Sequence, residues 1–154
     1  MSKVKLPMPA GLILERAAAK GLAGAVLADA VRYKNRPAFQ ETGISEESID
    51  FIFEYGSENM EICENAILQG YEFKFLSIRG LQNFLIARLG LEEGKDFTIS
   101  ETHLDRVVIP AEKYQGVRET IPGNWVFAEL EQSGDGGIYR IEHASAGSGL
   151  ISKG

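Results

Sequence analysis

The sequence predicts an α+β protein, and three observations carry that prediction. Alanine and glycine crowd an apolar N-terminal stretch at helical spacing. The apolar period shortens at Tyr71 from helical to alternating. A turn of glycine and aspartate separates two alternating runs near the C-terminus. With 154 residues, 44% of them hydrophobic and 25% charged, the expectation is one compact domain that folds without disulfide or metal. Within it, residues 1–36 read as a basic Ala/Gly-rich helical segment, residues 37–154 as the α+β domain, and residues 144–154 as a flexible tail, because the tail is small and polar.

The first helix starts near Pro9, since a proline is tolerated at the first helical turn. It extends toward Arg32, with glycines at 21 and 24 able to split it in two. Residues 33–43, with Asn35, Pro37 and Gly43, read as a linker. Ser45 then suits an N-cap, with Ile49, Ile52 and Phe53 as the buried stripe and Gly56 as the stop. Ser57 opens the next helix, which Gly70 ends. Tyr71, Phe73 and Phe75 alternate as a strand. Ser77 caps a helix whose apolar positions run from Ile78 to Leu89, ended by Gly90. Residues 95–100 read as a strand, 103–105 as a turn and 106–110 as a buried strand. Pro110 opens a short helix that Pro122-Gly123 ends. Residues 124–131 and 138–143 are strands joined by the turn at 133–137. Residues 71–131 therefore run strand, helix, strand, strand, helix, strand. That order predicts N-terminal helices followed by a ferredoxin-like βαββαβ core, with an added C-terminal hairpin strand.

Charge is sorted along the chain. Residues 1–36 hold seven Lys/Arg and two acids, residues 37–73 hold nine acids and no base, and residues 74–154 hold nine bases and eleven acids. Such a pattern fits two segments that attract each other, or a basic arm that reaches for a partner. Helix capping and solvated faces account for much of the acidic segment. A net charge of −6 argues against nonspecific nucleic-acid binding by the whole surface. The strand at 106–110 has no aromatic for base stacking, and a strand separates the helix pair 58–69 and 78–89, which does not suit helix-turn-helix. Nucleic acid is therefore not an expected partner.

The chemistry-bearing residues are few. Cys63, His103 and His143 stand at no metal-ligand spacing, so no metal and no cofactor is expected. Cys63 has acidic neighbours, which disfavour its thiolate, and no second cysteine, which suits a reducing compartment. Gly134-Asp135-Gly136-Gly137 lies between strands, so it lacks the helix a phosphate loop needs, and Ala146-Gly147-Ser148-Gly149 stands too near the end for one. Neither histidine stands in a spacing that specifies a catalytic base, and no residue is assigned a catalytic role. The run Leu12–Leu14 after Lys3 and Lys5 is cut off by Glu15 and Arg16, short of a signal peptide, and no stretch is long enough to span a membrane. The chain reads as cytoplasmic.

Two constellations remain. Ser77, Arg79 and Gly80 follow a strand and open a helix, with Lys74 just upstream. Free N–H groups and positive charge there suit a phosphate, sulfate or carboxylate ligand. Ala17, Gly21, Ala25 and Ala28 fall near one helical face, and such small residues would let a second copy approach closely. The functional expectation is a non-enzymatic binding or regulatory module acting through self-association, as a homo-oligomer, or through a protein partner. An enzyme with carboxylate or histidine chemistry, assembled from distant residues, is the alternative. A nucleic-acid-associated protein using the basic N-terminal segment is the further one.

Overall fold

The computed structural model describes residues 4–144, and the expected tail, but for its first residue, lies outside them. Their contacts cluster into two compact units, one reaching to Phe75 and one starting at Leu76.

The first unit opens with strand β1 (Val4–Leu6) and continues through helices α1 (Met8–Ala19), α2 (Gly24–Arg32), α3 (Arg36–Gln40), α4 (Glu46–Glu58) and α5 (Met60–Gln69) to strand β2 (Tyr71–Phe73). Pro7 takes the N-cap position of α1 and Pro9 its first turn. The expected break falls between Ala19 and Gly24, where Gly21 adopts a φ of 97°. The expected linker is not wholly irregular. Asn35 accepts a hydrogen bond from the Ala38 N–H and starts α3, which buries Phe39 edge-on against Phe53. Ser45 caps α4 by accepting from Ser48 N, as expected. Gly56 does not end that helix. A Cβ there would stand 2.5 Å from Val31 Cγ1, so this glycine admits α2 instead. Asn59 follows α4 and precedes α5, in place of the expected start at Ser57.

Strand β2 pairs in parallel with β1, Val4 opposite Tyr71 and Leu6 opposite Phe73. Leu6, Phe39, Ile49, Ile52, Cys63 and Phe73 are all buried in this unit. Residues 4–36 pack in the same unit as residues 37–75. Part of the sorted charge pairs inside it. Arg32 pairs with Glu64, Arg36 bridges Glu46 (2.6 Å) and Asp50 (2.5 Å), and Lys5 lies 3.9 Å from Glu72. Both arginines have their pKa raised, first by hydrogen bonds to these carboxylates. Three bases of residues 1–36 thus pair with carboxylates of residues 37–73.

The second unit contains α6 (Ile78–Leu89), β3 (Thr98–Ile99), β4 (His103–Pro110), α7 (Ala111–Thr120), β5 (Trp125–Ser133) and β6 (Gly136–His143). The four strands form an antiparallel sheet in the order β3-β4-β6-β5. The expected turn at 103–105 is the start of β4. An irregularity between Leu104 and Val107, with Arg106 at a φ of 53°, lets the strand run on through it. Helices α6 and α7 pack on β4, and α7 also on β6. Leu104, Val107, Ile109, Tyr139 and Ile141 are buried from the sheet, with Leu81, Phe84 and Leu85 from α6 and Val117 from α7. Tyr114 stacks on Tyr139 at 4.9 Å, and the Trp125 indole N–H donates to the Leu76 carbonyl at 3.2 Å.

The described residues are thus mixed α+β, with a four-stranded antiparallel sheet and a two-stranded parallel one. The pairing departs from the ferredoxin-like expectation. Its first strand, β2, pairs with β1 and not with the four-stranded sheet, and the added hairpin strand β6 lies between β4 and β5. The physical reason is local. Strand β2 is three residues long, and Val4–Leu6, unread as a strand in the sequence, supplies its partner edge.

Candidate binding surface

Ser77 acts as the N-cap of α6, its hydroxyl accepting from Gly80 N at 3.0 Å. That uses one of the N–H groups an anion would need. The Arg79 guanidinium donates to Gln82 Oε1 (3.1 Å), and the Gln82 amide donates to Glu93 Oε1 (3.2 Å). The arginine is thereby linked to a carboxylate. Gly80 is buried, Arg79 is exposed, and Lys74 lies in the first unit, where its N–H donates to Leu6 O at 2.8 Å.

The small-residue set does not form one continuous helical face. Ala17 and Ala28 are buried, Gly21 sits in the turn between α1 and α2, and Ala25 alone is exposed on a helix, beside Val26. A Gly21→Leu change would meet open space, but at a φ of 97° it would strain the backbone. It therefore does not isolate self-association.

His103 has polar neighbours at both ring nitrogens. Arg140 Nη2 lies 3.2 Å from Nε2, and Ser100 Oγ lies 2.9 Å from Nδ1. An arginine can only donate, so Nε2 accepts and Nδ1 carries the hydrogen. Ser100 then accepts from Nδ1–H and gives its own hydrogen to the His103 carbonyl at 3.2 Å. Ser100 Oγ also lies 3.4 Å from Nε2, and Thr102 Oγ1 lies 3.2 Å from Nδ1. His143 accepts from the Asn124 side chain at 2.9 Å and meets the Trp125 ring edge-on. Among the described residues, no three His, Cys, Asp or Glu side chains converge as a metal ion would require.

Cys63 is fully buried, and burial, with Glu64 nearby, pushes its thiol up to about 11 from 9.0. Labelling of the native thiol should be slow at neutral pH. The raised pKa also has a thermodynamic sign. The native state holds its thiol proton while the unfolded chain loses it, so stability is full below about pH 9 and falls as pH rises toward 11, by about 2–3 kcal/mol. Cys63→Ala should flatten that alkaline slope in denaturant titrations. An unchanged slope, or fast labelling at pH 7, would contradict the burial.

The remaining feature is the sheet face opposite the buried one. Strand alternation places Val108, Ile138, Arg140, Glu142, Ala128 and Val126 on it, by the register Val108–Ile138, Ala128–Arg140 and Val126–Glu142. Val108 is 40% and Val126 46% exposed. At one end of this face the 134–137 turn meets the start of α7, where Ala111 N donates to the Asp135 carbonyl at 3.0 Å. Between them lies an open groove of about 630 Å³, lined by Val108, Pro110, Glu112, Glu131, Asp135 and Ile138 among others. The sequence contains a sign of this face. Val107, Val108 and Ile109 are consecutive and apolar, and a strand must turn one of them away from the core.

No protein-family model matches the chain, and neither does any curated protein or solved structure. Among the described residues, no helix is long and apolar enough to cross a membrane.

Proposed function

We propose that this chain is a non-enzymatic binding or regulatory module that acts through a protein partner or a second copy, with the outward sheet face as its contact surface. The observation that carries the reading is the exposure of Val108 and Val126 on one face, together with Ile138, Ala128, Arg140 and Glu142. A mixed apolar and charged surface of this kind is ordinary for a protein contact. The basic-arm reading has lost cations, since Arg32 and Arg36 are held by carboxylates of their own unit. The enzymatic reading has its best candidate in Ser100 and His103, where the imidazole donates to the serine and the serine donates to a backbone carbonyl. A cytoplasmic setting suits the lone buried thiol.

The reading is tested by placing a photo-crosslinking amino acid at position 126 of the full chain in its native cell, with position 47 on α4 as control. Adducts at 126 that vanish with Val108→Glu are the expected result. Equal crosslinking at 126 and 47, or none at 126, would reject the sheet face as a contact surface.

A further inference from the structure

We propose that the groove at the end of the sheet face receives an arginine or lysine side chain of the protein partner, a specification that rests on the reading above. Apolar Val108, Pro110 and Ile138 line the groove, and the exposed Glu112, Glu131 and Asp135 give it an acidic rim. Arg106 holds the Glu131 carboxylate at 2.8 Å. The carboxylates of Glu112 and Asp135 make no ion pair among the described residues, and both residues are exposed.

That combination selects an occupant. An anion is attracted by the α7 N-terminus but repelled by the rim, and the Ala111 N–H it would seek already donates to Asp135 O. A bare metal ion would need more ligands than converge here. A lysine or arginine has a long aliphatic stem that lies on apolar surface while its head stays at a polar rim. The guanidinium is planar, weakly hydrated and rich in donors, which suits two separate carboxylates. The stem would lie on Val108 and Ile138, and the head would meet Glu112 and Asp135.

The test is an NMR titration of the full ¹⁵N-labelled chain with synthetic acetyl-Gly-Val-Arg-Val-Gly-amide. A second arm uses the citrulline analogue, which keeps the shape and removes the charge. Saturable shifts at the amides of Ala111, Glu112, Gly136 and Gly137 are expected with the arginine peptide. The citrulline peptide should bind at least about tenfold more weakly, since hydrogen bonds to charged groups are the stronger ones. A Glu112→Gln/Asp135→Asn variant should lose that preference, with its Trp125 indole signal unmoved as the folding control. Equal binding of the two peptides, or no saturable shift at these amides, overturns the groove. Displacement of the peptide by calcium chloride at equal ionic strength assigns the rim to a metal ion and overturns it too. Shifts confined to Val126 and Ala128 overturn the groove and leave the sheet-face reading standing. Groove shifts without crosslinks at position 126 support the groove and sink the broader face.

Discussion

Replacing Gly136 by alanine is expected to destabilise the second unit by about 3–5 kcal/mol, from overpacking and an unfavourable backbone region together. An added Cβ would run into the Ile109 carbonyl oxygen and come within 2.9 Å of Pro110 Cα and 3.1 Å of Ala111 N. All three are backbone atoms, so no rotamer change relieves the contact. The residue also has a φ of 156°, which side-chain-bearing residues rarely adopt. The clash falls where β6 begins, opposite Pro110, so relief requires moving the β4–α7 junction or breaking the β4–β6 pairing. Trp125, the one tryptophan, is buried in this unit and reports on it directly. Its fluorescence transition should fall by about 15 °C or more, given the usual scaling for domains of this size. Gly134→Ala is the control, since a Cβ there meets nothing within 4 Å. Equal melts for the two variants would mean that the hairpin tip does not pack on the end of β4. The same packing builds one wall of the groove, so Gly136→Ala should abolish peptide shifts there.

Local features were the legible ones. Ser45, Ser77, Gly70 and Gly90 each stand where a cap or stop is formed, because a helix end is decided by one or two residues. Pairing was not legible. Val4–Leu6 is too short to show a period, and nothing local tells Tyr71–Phe73 to choose that partner over the larger sheet. The start of β4 at His103–Asp105 reads as a turn, yet Leu104 is fully buried, and the backbone irregularity that reconciles them leaves no sequence mark. Gly56 looks like a helix stop because glycine usually is one. Its reason is Val31, twenty-five positions away and invisible without the fold. The candidate surface was hidden for the same cause. Val108 and Val126 are ordinary strand residues until the register puts them on one face, and Glu112 and Asp135 share a groove only because the 134–137 turn packs on α7.

Gly11→Ala should open the first unit, although alanine is the better helix former. Helix α1 approaches β2 so closely that a Cβ at position 11 would strike Phe73 Cε1 and stand 2.9 Å from its Cζ. The Phe73 ring is 1% exposed and lies edge-on to Tyr71 at 5.3 Å, so it has little room to turn. Tyr71 is fixed in turn. Its hydroxyl donates to the buried Glu15 carboxylate at 2.5 Å and lies 3.3 Å from the Gly11 carbonyl. Moving α1 outward to admit the methyl would stretch a buried hydrogen bond, which is costly. Overpacking costs of about 1–3 kcal/mol therefore compete with a helix-propensity gain of about 1 kcal/mol. The Tyr71–Glu15 bond adds to the first side, for a net loss of about 2 kcal/mol. Cys63 is the reporter, since it is fully buried in the same unit and labels only on opening. Its labelling should accelerate about thirtyfold, the factor that 2 kcal/mol implies. Phe73→Leu should itself destabilise, yet combined with Gly11→Ala it should recover part of the loss, with a coupling of about 1 kcal/mol between contacting residues. Strict additivity of the two changes, or wild-type labelling in Gly11→Ala, would show that α1 does not rest on Phe73.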